Sequence, residues 1–359
     1  MRRVRNINFR RNRGEILEQQ GVQIFPKTKL GKATNNYDDS NKLKDDDFGS
    51  VHRGNIKGDD VVVVRKPKDA HKSQKKGDFQ RKLKFLMKRS HKNVVKLKGI
   101  CLETRIPLPV YEYIPNGTLF QHIHQDESTI LKSWEDHFRI VAEATLALNY
   151  MHSSIKPPIV HGKIKSVNML VDQNYLDEKY PAKVSDVGTS VLISPKHRHI
   201  VATQKQDSLD YIDPEYLITG MLTTQSDVYS LGVVPVELLV GNELFVTESG
   251  ESINTIYRFI SSVKNNTLSD VINFEGSGED EMERIRMVAE IAVKCLDQSG
   301  ANRPAMSDVA RQLADINPSS AIEENNEETG DVVDAEQLFP LETTITGEAS
   351  PHMTSRCLF

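Results

Sequence analysis

Cysteine is scarce in this sequence, and a long hydrophobic run is absent from it. The three cysteines among 359 residues, Cys101, Cys295 and Cys357, are too far apart for a zinc site or a disulfide framework, which favours a reducing compartment. No run of about 18 apolar residues is present, and the N-terminus lacks the hydrophobic core of a signal peptide. Arg2 excludes N-myristoylation, and a cysteine third from the end excludes a C-terminal prenylation motif. We therefore expect a chain that neither spans a membrane nor is secreted by the usual route.

Charge is unevenly distributed, although the net charge is only −4. Residues 1–24 form a basic arm, for which we predict a solvated, disordered leader, with a patch for a membrane or an acidic partner as the alternative. Residues 316–359 form an acidic tail with nine carboxylates against Arg356 alone, and we predict that this tail is disordered. The arginines of the arm are Arg2, Arg3, Arg5, Arg10, Arg11 and Arg13.

The residues between the arm and the tail divide into a small β-rich part, 25–113, and a larger helical part, 114–315. The run VVVV at 61–64 and the segment LPVYEYI at 108–114 are typical of buried strands, and apolar residues recur at helical spacing around Phe79. Long helical patterns follow, including HFRIVAEATLALNYMH and SDVYSLGVVPVELLVG. The sequence thus predicts an α+β fold with two lobes, of which the smaller combines strands with one main helix.

Several short motifs follow one another in the order and spacing of a eukaryotic protein kinase. They are LKDDDFGSV at 43–51, VVVR at 62–65, HGKIKSVN at 161–168, AKVSDVGTS at 182–190, DPE at 213–215 and NRP at 302–304. The segments AKVSDVGTS, YIDPEY and SDVYSLGVV also resemble the wall-associated kinases of plants. The resemblance covers about residues 25–315 and implies a bilobal protein-kinase-like fold.

In the kinase pattern, three small-lobe positions serve the nucleotide phosphates, and all three are altered here. The glycine-rich loop keeps only Gly49, because Lys44 and an aspartate replace the other glycines. The strand lysine is replaced by Arg65, which keeps the charge but not the reach of a lysine. The glutamate partner of that lysine is replaced by Lys82, so the expected ion pair becomes two cations that repel each other. Gly49 and Arg65 are left as candidates for residual nucleotide contact.

The catalytic loop departs from the kinase pattern at two further positions. Lys163 stands where a protein kinase has the aspartate that accepts the substrate proton, and a lysine is protonated at neutral pH. Gly162 replaces the arginine that would bind a phosphorylated activation segment. Lys165 matches the lysine that steadies the transferred phosphoryl group, and Asn168 and Asp186 match the two metal ligands. We expect no bound metal; Asn168 and Asp186 are residual candidates for one, and the alternative is that they form hydrogen bonds, with Lys163 as a partner.

Residues that hold the kinase scaffold together are retained. By the resemblance, Asp227 anchors the backbone of the loop at His161. Glu215 and Arg303 match the buried pair that ties the activation segment to the late helices. A retained scaffold with altered chemistry favours a binding role, that of a catalytically impaired pseudokinase acting as an adaptor or decoy.

The chain combines motifs of the wall-associated kinases with an altered catalytic loop. In this combination it resembles the plant receptor-like cytoplasmic pseudokinases related to the HopZ-effector-triggered-immunity-deficient protein. This resemblance implies three kinds of partner: a coiled-coil nucleotide-binding leucine-rich-repeat (NLR) immune receptor, a bacterial effector, and other receptor-like cytoplasmic kinases. It implies a cytoplasmic chain at the plasma-membrane periphery, no nucleic-acid partner, and weak or absent Mg-ATP binding. Two alternatives stay open: a residual Ser/Thr protein kinase that uses Arg65 or Lys66 for the phosphates and Asp186 for a metal, and an ATP-responsive switch without catalysis.

Overall fold

The computed structural model describes most of the predicted two-lobed region together with the basic arm. The acidic tail beyond residue 316 and the helical pattern that includes Lys82 lie outside the described residues. The described residues are 2–46, 49–56, 58, 60–68, 91–124, 133–155, 158–173, 181–186, 191–192, 211–241, 255–272 and 278–316.

The small lobe is built around a five-stranded antiparallel sheet. Its strands are β1 Lys42–Asp46, β2 Gly49–Asn55, β3 Val61–Pro67, β4 Leu97–Cys101 and β5 Leu108–Glu112. They lie in the order β1-β2-β3-β5-β4. The valine run forms the start of β3, and Val62 and Val64 are fully buried because alternate side chains of a strand share one face. Arg65 is the next residue of this strand and lies opposite Val51 of β2.

The basic arm folds into two helices, α1 Arg2–Arg11 and α2 Gly14–Gln19, that pack on the small lobe. Leu17 of α2 is buried in a cluster with side chains of β4, and Phe9 of α1 packs against that cluster. The side-chain amide of Asn12 donates two hydrogen bonds of 2.9 Å to backbone oxygens just after β4. The prediction of a solvated, disordered leader is therefore wrong, because Phe9 and Leu17 pack against the β4 cluster and order the arm.

The large lobe is helical around a single apolar core. The remaining helices are α3 Lys27–Ala33 in the small lobe, and α4 Leu119–His124, α5 Trp134–Ser153, α6 Pro214–Thr219, α7 Thr224–Val240, α8 Thr255–Lys264, α9 Glu279–Cys295 and α10 Met306–Ile316 in the large lobe. Ser133 begins α5 by accepting a hydrogen bond from the backbone N–H of Asp136. Every residue of α7 from Ser226 to Val240 is buried, as its nearly uniform apolar sequence predicts.

Two small two-stranded antiparallel sheets bring the loop residues to the cleft between the lobes. Their strands are β6 Ile159–Val160, β7 Met169–Val171, β8 Ala182–Val184 and β9 Val191–Leu192. β6 pairs with β9, and β7 pairs with β8. The loop 161–168 therefore connects β6 of one pair to β7 of the other, and Asp186 follows β8 closely at a positive φ of 68°. The predicted bilobal α+β architecture is confirmed.

Candidate functional site

The loop 161–168 is fixed by the start of α7. Asp227 in the first turn of α7 is completely buried. Its carboxylate accepts hydrogen bonds of 2.7 Å from the backbone N–H groups of His161 and Gly162. The same carboxylate lies 2.9 Å from Nε2 of His152 in α5. Asp227 thus makes the anchoring contact that the kinase pattern predicts for it, and a buried carboxylate with three donors is a rigid anchor.

His161 links this loop to the segment that carries Asp186. Its Nε2 lies 2.8 Å from the backbone oxygen of Ser185, and its Nδ1 lies 3.2 Å from the backbone nitrogen of Lys163. Burial lowers the pKa of His161, which favours the neutral ring. A neutral ring with its proton on Nε2 donates to Ser185 and accepts from Lys163, so both contacts are satisfied by one tautomer.

Gly162 is required by the local backbone geometry. Its φ is +72°, a region that side-chain-bearing residues seldom adopt, and a Cβ built on it would lie 2.7 Å from Cδ2 of Leu222. An arginine at this position, as in the kinase pattern, would demand movement of Leu222 or of the loop. The loss of the phosphate-binding arginine is therefore matched by a backbone conformation that favours glycine.

The two residues that match metal ligands are engaged by cations of the chain itself. The guanidinium of Arg65 on β3 donates to the carboxylate of Asp186. Lys44 Nζ on β1 lies 2.8 Å from Oδ1 of Asn168 and 3.5 Å from the second oxygen of Asp186. The amide nitrogen of Asn168 donates at 2.8 Å to the backbone oxygen of Lys163. The oxygens that a metal would need are thus occupied by ammonium and guanidinium groups.

The electrostatic state of Asp186 follows from these neighbours. Burial by itself would raise its pKa, but the charges of Arg65, Lys44 and Lys163 outweigh burial and lower the pKa to about 2. Asp186 is therefore ionised at neutral pH and neutralised inside the protein. Lys163 contributes to this field, as expected from its place in the loop.

Lys44 is the functional residue that sequence reasoning missed. It was interpreted only as a lost glycine, whereas its side chain reaches from β1 across the cleft to Asn168. Together with Arg65 it connects the small lobe to the large lobe through side-chain contacts. The sequence does contain a signal for this contact: Lys44 puts a long cationic side chain at a glycine position that, in the kinase pattern, lies over the metal-ligand positions Asn168 and Asp186.

Gly49, the retained glycine, has a structural reason that is independent of a nucleotide. Its φ is +144°, and a Cβ on it would overlap the backbone oxygen of Lys66 across the β2–β3 pairing. Asp45 of the acidic run turns toward Lys68 and Lys42, at 3.1 and 3.9 Å. Lys165 is half-buried within the loop 161–168, and Lys82 lies outside the described residues.

Arg303 has a different partner from the one predicted. Its guanidinium lies 2.7 Å from Oδ1 of Asp213, and both side chains are buried. Glu215 instead accepts a hydrogen bond from the backbone N–H of Gly300. The prediction that Glu215 pairs with Arg303 is therefore wrong, because the acidic partner of Arg303 is Asp213. Asp213 precedes the first turn of α6 and caps it, and this position turns its carboxylate toward the late helices.

A buried glutamate in α7 forms a second polar centre, which the sequence interpretation also missed. Glu237 is completely buried and accepts hydrogen bonds from the hydroxyls of Ser166 and Tyr211, the first at 2.8 Å. Nε2 of His124 in α4 lies 2.8 Å from the same carboxylate. Glu237 therefore joins the loop 161–168, the segment before α6 and α4. A lone glutamate in the apolar run of α7 was the signal for it.

A magnesium-bound nucleotide does not fit the site as it stands. Mg²⁺ takes oxygen ligands in an octahedral shell, and the side-chain oxygens of Asn168 and Asp186 already accept from two cations. Among the described residues, no group of three or more His, Cys, Asp or Glu side chains could hold a metal ion. No helix in the described part of the chain is long and apolar enough to cross a membrane.

Comparison with known proteins identifies relatives for most of the chain. It is 38% identical over 334 residues to wall-associated receptor kinase-like 1 of Arabidopsis thaliana, which covers 89% of this chain and 45% of that protein. It is 37% identical over 321 residues to wall-associated receptor kinase 3 of the same plant, covering 87% and 42%. A third relative, wall-associated receptor kinase 4, is 35% identical over 353 residues, covering 95% and 47%.

The chain spans less than half the length of each of these three relatives. Residues 38–313 match the family of protein tyrosine and serine/threonine kinases. This range includes both lobes of the fold and all of the cleft residues described above. The chain therefore belongs to the protein tyrosine and serine/threonine kinase family and is related to the plant wall-associated receptor kinases.

Proposed function

We propose that this member of the kinase family is a pseudokinase that works as an adaptor or decoy rather than as an enzyme. The observation that carries the proposal is the contact of Arg65 and Lys44 with Asp186 and Asn168. In an active kinase these oxygens serve metal ions that neutralise the phosphates. Here Arg65 and Lys44 supply the positive charge beside these oxygens, so a metal is not needed to neutralise them.

Displacing these cations would be costly. Arg65 and Asp186 are both at least nine-tenths buried, so a metal that takes Asp186 leaves the buried guanidinium of Arg65 without its carboxylate. Losing one member of such a pair costs about 3 to 5 kcal/mol. A penalty of that size weakens the binding of a metal–nucleotide complex by a factor of roughly 10² to 10³ or more. This is the main support for weak or absent Mg-ATP binding.

The proton-transfer position supports the same conclusion. Lys163 is half-buried in the loop beside Asp186, and its positive charge contributes to the low pKa of that carboxylate. A protonated amine has no lone pair with which to accept a proton from a substrate hydroxyl. Loss of a general base alone reduces the rate by roughly 10² to 10⁴. Gly162, Lys44 and Lys82 are further departures in the same catalytic unit.

The shape of a kinase is nevertheless retained, and shape is what an adaptor offers. Asp227, Glu237 and Arg303 hold the loop, α4 and the late helices in place. By the family resemblance, we propose that this surface binds a coiled-coil NLR immune receptor of a plant, and a bacterial effector or an effector-modified receptor-like cytoplasmic kinase. We place this adaptor in the cytoplasm at the periphery of the plasma membrane.

A radiolabelled phosphate assay tests the enzymatic half of the proposal. Purified chain, free of contaminating kinases, is incubated with labelled ATP and Mg²⁺ or Mn²⁺, alone and with a generic protein substrate. We expect incorporation at the background of a heat-denatured sample. Incorporation at ordinary kinase turnover, about 1 per second or faster, would establish an active enzyme and overturn the pseudokinase proposal.

A pull-down from plant leaf tissue, with and without a bacterial acetyltransferase effector, tests the adaptor half. We expect recovery of an NLR receptor together with the chain, and an effector-dependent change in the associated kinases. Absence of any NLR from repeated pull-downs would contradict the adaptor role while leaving the loss of catalysis intact.

The alternative is an ATP-responsive switch without catalysis. It is favoured by the retention of Asn168, Asp186 and Lys165, three residue types that bind metal and phosphate in active kinases. A nucleotide that displaced Lys44 and Arg65 would release the contact between the lobes. This alternative requires saturable nucleotide binding, whereas the adaptor proposal requires none.

A further inference from the structure

α1 is held on the small lobe by one face. Arg5 Nε lies 4.0 Å from Oε2 of Glu103, and the side-chain amide of Asn8 donates at 3.1 Å to the backbone oxygen of Glu103. Phe9 packs against the β4 cluster, and Asn12 donates to backbone oxygens beyond β4. These residues recur at intervals of three and four, which defines one side of a helix. The docked side fixes which residues of α1 face away from the protein.

The opposite side of α1 combines aliphatic and basic side chains in solvent. Val4 is 61% exposed and Ile7 is 56% exposed, and the two lie three residues apart on the same side of the helix. Arg3, Arg10 and Arg11 are also exposed. We refer to these five residues as the arginine–aliphatic face. The sequence of α1 contains no acidic residue.

The basic surface continues onto α3. The backbone N–H of Lys27 at the start of α3 donates at 3.0 Å to the same Glu103 carboxylate that lies near Arg5. Lys27 and Lys32 of α3 are exposed. Glu15 is an exposed acid 3.6 Å from Arg10, and an ion pair in water of this kind is weak and easily exchanged. Glu18 of α2 is exposed as well, but the exposed arginines and lysines of the arm and α3 outnumber these two acids.

We propose that the arginine–aliphatic face docks on an anionic phospholipid surface. Arginines attract the phosphates and carboxylates of anionic lipid head groups, while Val4 and Ile7 enter the boundary between head groups and acyl chains. An acidic peptide would match the arginines but would not account for two aliphatic side chains among them. A lipid surface accommodates both, and α1 already presents them in one direction. This inference does not depend on the loss of catalysis proposed above.

Vesicle flotation with the full chain tests the proposal. Phosphatidylcholine vesicles are compared with vesicles that also contain about 30 mol % phosphatidylserine, for which we expect association to rise about tenfold. Raising the salt to about 0.5 M should abolish most of that gain, because the screening length becomes only a few ångströms. The triple variant Arg3→Gln/Arg10→Gln/Arg11→Gln should lose the gain. Val4→Gln/Ile7→Gln should reduce it at unchanged charge.

A matched control separates this face from net charge. Arg258→Gln/Lys264→Gln/Lys294→Gln removes three exposed charges from the large lobe and should float like the native chain. All substituted residues are exposed, so melting temperatures should agree among the variants, which verifies folding. Equal association with both vesicle types, or equal loss in the control and the arm variants, would overturn the proposal. So would binding of poly-glutamate through the arm arginines without any vesicle association, which would assign the face to an acidic protein.

Discussion

At the scale of single residues, the contact between Arg65 and Asp186 joins one altered position of the kinase pattern to one retained position. Arg65 is a replacement at a phosphate-binding position, and Asp186 is a retained metal ligand. In the fold they meet across the cleft as a buried ion pair, with 8% and 7% of their side chains exposed. The replacement therefore changes the use of the retained residue, because a guanidinium that already binds the carboxylate competes with a metal.

Removing the cation from this pair should destabilise the protein. In Arg65→Met, Asp186 keeps its buried charge without its nearest partner, and we expect the free energy of unfolding to fall by about 3 kcal/mol. Urea denaturation followed by circular dichroism measures this change. Lys66→Met is the matched control, since Lys66 is the adjacent, exposed residue of β3 and its loss should cost less than about 1 kcal/mol. Equal losses in the two variants would contradict the buried pair.

Asp186 should also leave a signature in the pH dependence of stability. Its pKa, which burial would raise, is lowered by its cationic neighbours from 3.8 to about 2. The unfolded chain therefore takes up this proton at a higher pH than the folded chain does. Asp186 then contributes about 2 kcal/mol above about pH 4, and this contribution is lost as the pH falls toward about 2. Urea midpoints measured through this window should fall less steeply for Asp186→Asn, and identical slopes would refute the assignment.

Restoring the missing base alone should not restore catalysis. Lys163→Asp supplies a proton acceptor, yet Lys44 and Arg65 still engage the metal-ligand oxygens. We expect phosphate incorporation by this variant to stay at the background of the native chain, because defects in one catalytic unit are not additive. A vigorous gain of activity in the same labelled-ATP assay would mean that the cleft is one substitution away from an active kinase.

At the scale of elements, the sequence predicted those whose pattern is set by their own residues. The valines of β3 and the apolar run of α7 have periodicities that leave little choice of structure. The sequence does not predict α1, because six arginines give the arm the composition of a disordered segment although it contains Phe9. The contact that orders α1 is with β4, about 90 residues away along the chain, and no local pattern records it.

The partner of Arg303 shows the same limit on a smaller scale. DPE contains two acids two residues apart, and spacing alone does not tell which of them reaches the late helices. The helix start decides it, since Asp213 caps α6 and contacts Arg303 while Glu215 turns to Gly300. Lys44 was missed for a related reason: the reach of a lysine side chain depends on where β1 lies over the cleft.

These two acids should therefore differ in their contribution to stability. Asp213→Ala leaves the completely buried guanidinium of Arg303 without a carboxylate, which should cost about 3 to 5 kcal/mol. Glu215→Ala removes one acceptor from a backbone N–H and should cost about 1 to 3 kcal/mol. Thermal or urea denaturation of the two variants gives the order directly. A larger loss for Glu215→Ala would favour the pairing expected from the kinase pattern.

At the scale of the whole molecule, Lys44 and Arg65 connect the two lobes through side-chain contacts. An active kinase closes its lobes around a metal-bound nucleotide, whereas here side chains of β1 and β3 contact the large lobe directly. Under the proposed function, these contacts stand in for a metal-bound nucleotide, and the surface that spans both lobes is offered to a partner.

Calorimetric titration of Mg-ATP into the purified native chain tests this most directly. We expect no saturable heat up to about 1 mM nucleotide, a limit that corresponds to a binding free energy weaker than about 4 kcal/mol. Asp186→Asn and a titration without Mg²⁺ serve as references and should give the same flat trace. Saturable, magnesium-dependent binding with a micromolar Kd that disappears in Asp186→Asn would show that a metal reaches these oxygens and that the cations of the chain do not replace it.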